Sequence, residues 1–224
     1  MFRLTKVAPP HGWNAVVWEL AIVTLGVLIA LVAQQLVDGI HQRNEVTQLV
    51  GALRSELADS RSRWQHVRNS DSCTLQRLDA LEKWNATAPR SAKLNRAYRL
   101  FVWNQHSGAW DLAKTSEAMA SIPLRQRVLF ASLYDAINNW RQMIVEENDN
   151  ARVLGGLLAT ADQPENRRQI AYRISLARAF VNRRKFNYNY MFTRFDALRI
   201  APDDSQLTVQ ANDKLLCEPL DRLS

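Results

Sequence analysis

Apolar residues fall on this chain in two patterns, one continuous near the amino terminus and one periodic through the remainder. From Val16 to Val37 the only formally charged residue is Glu19. As a helix this run spans roughly 33 Å at about 1.5 Å per residue, enough to cross a hydrocarbon core of about 30 Å. Later apolar runs, Val128 to Ile137 and Val153 to Ala159, are short and interrupted, so the pattern predicts one crossing. Beyond it Val46, Leu49, Val50, Leu53 and Leu57 recur at helical spacing, and the membrane helix is expected to continue towards Arg68.

The polar cluster NSDS at 69–72 is expected to stop that helix, with Ser70 or Asp71 capping a second one that carries Leu75, Leu78, Leu81 and Trp84 up to Pro89. A third is expected from Ala92 to about Gln105 with Leu94, Tyr98, Phe101 and Val102 inward, and a fourth from Ala109 to Ala120. Two long helices follow. The first opens on Pro123 as its N1 residue and carries Phe130, Leu133, Ile137, Trp140 and Ile144 at steps of three and four, then Ala151, Leu154 and Leu158. The second, Glu165 to Ile200, repeats the stripe with Ile170, Ile174, Ala177 and Val181, and then Tyr188, Phe192 and Phe195. A turn at Asp162, Gln163 and Pro164 separates them, and a last short helix from Asp203 or Asp204 would return Cys217 to the body. Strand signals are nearly absent. The expected fold is all-α: an N-terminal transmembrane helix continuing into an antiparallel helical bundle.

The flanks of the apolar run give an orientation. Arg3 and Lys6 precede it without any acid, whereas residues 38–53 offer only Arg43 among Lys and Arg. This bias places the amino terminus in the cytoplasm. Trp13 and Trp18 suit the aromatic belt at that boundary. The organisation expected is a cytoplasmic arm at 1–15, a transmembrane helix at 16–37 and an exported, periplasmic helical domain at 38–224, on the inner membrane of a bacterium. A cleaved signal peptide is the rival reading, opposed by the length of the apolar run and by Leu31 where cleavage after Ala33 needs a small residue.

Glu19 has a place in this scheme. At 100° per residue Gly26, Ala30 and Ala33 return to its side of the helix, so Glu19, Gly26, Ala30 and Ala33 form one stripe. Small residues allow close helix approach in lipid, and the stripe is expected to pack on another membrane protein or on a second copy. The alternative is a glutamate that snorkels to the boundary or is protonated.

Export gives meaning to the cysteines. Cys73 and Cys217, the only two, are a candidate disulfide in an oxidising compartment; in a cytosolic domain they would be buried thiols. The sequon Asn85, Ala86, Thr87 is read as chance. Net charge is +7 among 224 residues, and the second long helix concentrates it in Arg167, Arg168, Arg178, Arg183, Arg184 and Lys185, with aromatic residues interleaved. Aromatics filling the core and arginines lining a solvated face is one account; an acidic partner or lipid surface is a second; nucleic acid is disfavoured because export removes it.

Catalytic patterns are thin. The four histidines are scattered, with neither HExxH nor a Cys/His set at metal spacing, so no metal or cofactor is expected. His106, Ser107 and Asp111 hold the residue types of a nucleophilic triad, but a helix-initiating loop explains them better. Glu146 and Glu147 read as a solvated helix face.

At the anchor, ELAIVTLGVLIALVAQQLVD followed by an amphipathic helix with Leu53, Glu56 and Leu57 resembles a group of uncharacterised bacterial single-pass proteins whose anchors read E, aliphatics, G, I or V, LIAL. AWDLAKTS at 109–116 is similar to a Trp- and Thr-containing segment of proteobacterial members. The resemblance implies an inner-membrane protein with an exported helical domain, and it carries no functional residues. Three roles are compatible with all this: a non-enzymatic accessory or scaffold subunit, a ligand-sensing module working with a transmembrane partner, and a hydrolase, the first being the reading the anchor stripe favours.

Overall fold

The computed structural model describes residues 12–87, 94, 98, 106–161, 163, 165–206 and 217–220. Four α-helices are present among them: α1 (Trp13–Thr87), α2 (Gly108–Ala113), α3 (Leu124–Ala159) and α4 (Asn166–Ala197). Two 3-10 turns, Glu117–Ser121 and Asp204–Gln206, complete the set, and no strand occurs among the described residues. The all-α expectation is met. The chain divides into a unit comprising 1–48 and a second comprising 49–224.

In the first unit every large apolar residue from Val16 to Ile40 is 51–66 % exposed. This part of α1 is long and apolar enough to cross a membrane.

The second unit is built on a seam. Along α1 an inward seam runs through Leu49, Leu53, Leu57, Ser60, Trp64, Val67, Asp71, Thr74, Leu78 and Leu81, with Ser62 and Arg77 also buried beside it. Steps of three and four keep one edge facing inward, the spacing of knobs-into-holes packing. On α4 the same spacing buries Ile170, Ile174, Ala177, Val181, Arg184, Tyr188, Met191 and Phe195, and α3 supplies Phe130, Leu133, Ile137, Trp140, Met143, Glu147, Asn150, Leu154 and Leu158. Cross-links fix the directions. Trp64 meets Tyr188, Asp71 meets Arg184 and Asp79 meets Arg178, so α1 and α4 run antiparallel. Glu56 meets Tyr134 and Trp64 meets Trp140, so α1 and α3 run parallel. The result is a three-helix bundle with α2 and its 3-10 turn laid against one end.

Several boundaries differ from expectation. The NSDS cluster does not interrupt α1; Ser70 and Thr74 turn their hydroxyls back to the carbonyls of Val67 and Ser70, satisfying themselves inside the helix. Asp71 is therefore a core position and not a cap. The helix expected over Ala109 to Ala120 is split, because Ser116 breaks from α2 and accepts the Ala118 N–H to start the 3-10 turn. Pro123 lies just outside α3, its carbonyl accepting from Gln126 and Arg127. α4 stops at Ala197, where Arg199 takes a left-handed φ of 52° and Ile200 N–H reaches back to the Phe195 carbonyl at 2.9 Å. The helix expected at 92–105 lies outside the described residues, although Leu94 and Tyr98 are buried in the core with Leu78, Leu81, Leu154 and Ile174.

Candidate functional site

Midway along the bundle the apolar seam is broken in all three helices at once. Asp71 of α1, Glu147 of α3 and Arg184 of α4 each occupy an inward position and are 2–4 % exposed. Arg184 donates from Nη2 to Asp71 Oδ1 at 2.7 Å and from Nε to the same oxygen at 3.2 Å. Its Nη1 donates to Glu147 Oε1. The second Asp71 oxygen accepts the Tyr188 hydroxyl at 2.6 Å. One planar guanidinium thus bridges two carboxylates, a geometry that its fork of fixed donors suits.

Burial would lower the Arg184 pKa, but Glu147 and Asp71 outweigh it and hold the guanidinium above its ordinary range. Burial likewise raises Glu147, against the opposing pull of Arg184. Tyr188 is raised by burial and by Asp71. Tyr98, 3 % exposed and raised by burial and by Glu147, sits close enough to sense all three charges, and its hydroxyl has no partner among the described residues. Such a layer costs desolvation and returns register, since a shifted helix would leave a charge unpaired.

Around this layer the walls are tied by further polar links. Asn150 donates to the Arg173 carbonyl at 3.1 Å, joining α3 to α4. Arg178 reaches Asp79 and Glu82 at 2.6 and 2.8 Å, joining α4 to α1. Cys73 and Cys217 form a disulfide that fastens the carboxy-terminal segment to α1, and the buried Arg77 one turn further on donates to the Glu218 carbonyl. At the other end Glu56 accepts the Tyr134 hydroxyl at 2.7 Å and the Ala109 N–H at 3.0 Å, while Trp110 stacks on Tyr134 with ring centroids 4.9 Å apart. These contacts hold α2 in place.

Beside the triad, between α3 and α4, opens a cleft of about 230 Å³. Its floor is Trp64, Trp140, Met143 and Met191, all buried, and its rim carries Asp135 and Asn139 from α3 and Arg183 and Asn187 from α4.

The predicted site residues separate into groups. Glu19, Gly26, Ala30 and Ala33 lie on α1 in the first unit, all exposed, and a Cβ added at Gly26 would meet nothing within 4 Å. Of the expected basic face, Arg168, Arg183 and Lys185 are exposed and Arg167 is half-buried. Arg184 is a correction: it points inward to the two acids and is no part of that surface. Glu147 is another. Glu146 is solvated as expected, but its neighbour Glu147 turns into the core because it falls on the seam. Ser107 precedes α2 and gives its hydroxyl to Asp111, which Lys114 also holds at 2.8 Å; these bonds depress the Asp111 pKa, Lys114 contributing most. The Asn85 amide is engaged with the Arg167 carbonyl. Among the described residues no three of His, Cys, Asp and Glu gather as metal ligands.

The signal for the triad was present in the sequence as polar residues at three- and four-residue steps from apolar ones. What was missing was the partner that makes each of them tolerable in a core.

No protein-family model matches this chain, no curated protein is significantly similar to it in sequence, and no solved structure is significantly similar in fold.

Proposed function

We propose that this chain is a non-enzymatic, single-pass protein of the bacterial inner membrane that serves as an accessory or scaffold subunit of a membrane protein complex. Its amino terminus is cytoplasmic and its helical domain periplasmic. The observation that carries the reading is the exposed apolar run of α1, Val16 to Ile40, which none of the described residues covers and which belongs in lipid or against another helix. The Cys73–Cys217 bond supports an oxidising compartment. The exposed Arg168, Arg183 and Lys185, with the outward Phe186, suit an acidic protein partner.

Purification in mild detergent followed by mass spectrometry tests this reading. A stoichiometric membrane partner or a homo-oligomer is expected, lost on Gly26→Leu; a strict monomer unaffected by that change would remove the proposal. Reporter fusions at Ser224 test the orientation, with the periplasmic reporter expected to be active. A second reading, a periplasmic ligand-sensing module that needs a transmembrane partner, is favoured by one observation, the cleft between α3 and α4.

A further inference from the structure

We propose that the cleft between α3 and α4 binds a short linear peptide of three or four residues with both of its ends free. This ligand class rests on the sensing reading, and occupancy of the cleft can be measured on the protein alone, whether or not a transmembrane partner is bound.

The register of the two helices sets the shape of the ligand. Arg184 meets Glu147, and Arg183 lies 4.0 Å from Glu146, whereas Trp64 lies between Trp140 and Tyr188. In this antiparallel pair Arg183 stands at the Met143 end of the cleft and Asp135 at the Met191 end. The lining runs eight residues along each helix, from Asp135 to Met143 and from Arg183 to Met191, or about 12 Å at 1.5 Å per residue. An extended chain rises about 3.4 Å per residue, so three or four residues fill that length.

The charges sit where such a ligand carries its own. Asp135, exposed on α3, is placed for a terminal ammonium, and Arg183, exposed on α4, for a terminal carboxylate, for which it would exchange its long contact with Glu146. Between these ends stand two carboxamides on opposite walls, Asn139 and Asn187. Each offers a donor and an acceptor, the complement of a peptide unit, although Asn187 already gives one N–H to the Arg183 carbonyl at 3.1 Å. Beneath them the indoles and thioethers offer an apolar bed for side chains.

Trp64, 2 % exposed, contributes its ring to the apolar floor of the cleft beside Trp140. Tyr190 at the rim is held by Arg194, whose guanidinium lies 3.2 Å from the ring centroid, so that wall is set before a ligand arrives.

The full-length protein in detergent is titrated calorimetrically with the tripeptide Leu-Ala-Leu, with its N-acetylated form, with its C-amidated form and with free leucine. Saturable binding of the free-ended peptide is expected. Blocking either end should weaken it at least about tenfold, the equivalent of one charged hydrogen bond. Asp135→Asn should abolish the penalty for acetylation and keep that for amidation, and Arg183→Gln should do the converse. Both positions are exposed, so circular dichroism should show the fold intact. Absence of saturable binding at millimolar peptide overturns the proposal, as does binding indifferent to end-blocking or to both substitutions, or free leucine binding as tightly as the tripeptide. Peptide binding retained in a protein with no membrane partner would count against the scaffold role and against signalling through a partner, and would leave the peptide site itself standing.

Discussion

Arg184 on α4 donates two hydrogen bonds to Asp71 on α1, at 2.7 and 3.2 Å, where neither residue is more than 3 % exposed. The pair, extended to Glu147, is the place where all three helices of the bundle must agree on register.

Removing the cation should therefore be severe. Arg184→Met leaves two carboxylates buried without their cation, Asp71 keeping only the Tyr188 hydroxyl, and is expected to destabilise the domain by about 3–5 kcal/mol. Replacing all three together, Asp71→Leu, Glu147→Leu and Arg184→Met, should recover most of that loss, because an apolar layer needs no desolvation. Denaturant midpoints of the single and triple variants make the comparison, and a single variant as stable as the parent would show that the triad carries no structural constraint.

Glu147 gives the triad a pH signature. Its folded pKa is raised by burial, although Arg184 opposes, while the unfolded value stays at the ordinary 4.5. Between these values the folded state holds more protons than the unfolded, so stability falls as pH rises through the window. The loss is complete once pH passes the raised folded value. Asp71, Arg184 and Tyr98 face the same group and remain in Glu147→Gln. That variant should lack this component, so the difference between parent and variant stability should decline with rising pH above 4.5 and then level off.

The disulfide closes a loop across a sequence separation of 144. On the chain-entropy account it contributes about 5 kcal/mol. The double variant Cys73→Ser, Cys217→Ser should show a lowered melting temperature that reducing agent does not lower further. If reductant leaves the parent's melting curve in place, the bond is not part of the stable fold.

Arg199 closes α4 in the left-handed region without being glycine. This backbone costs an L-residue about 1–2 kcal/mol, partly offset on substitution by the larger unfolded-state entropy of glycine. Arg199→Gly is thus expected to raise stability by up to about 1 kcal/mol, read as a higher denaturant midpoint.

Tyr134 supplies the donor for one oxygen of Glu56. Tyr134→Phe should cost about 1–3 kcal/mol by leaving that half-buried oxygen without its partner. Burial, with Glu56, raises the phenol above its ordinary range, so an ultraviolet titration in mild alkali should find one more unionised tyrosine in the parent than in the variant.

Hydrophobic spacing was enough for the helical class, the long α3 and α4 and the apolar reach of α1, because period and run length are local properties that survive whatever the chain packs against. Leu49, Leu53 and Leu57 announce a buried edge on their own. The centre of the bundle had no such local mark. Asp71 in a run of small polar residues has the local chemistry of a cap, Glu147 beside Glu146 that of a solvated face, and Arg184 beside Arg183 and Lys185 that of a basic surface. Each is buried only because the other two, separated from it by 37 residues or by many more, arrive in the same layer and neutralise it. Pairing energy of that kind belongs to no segment, and neither does the cleft whose walls come from facing turns of α3 and α4.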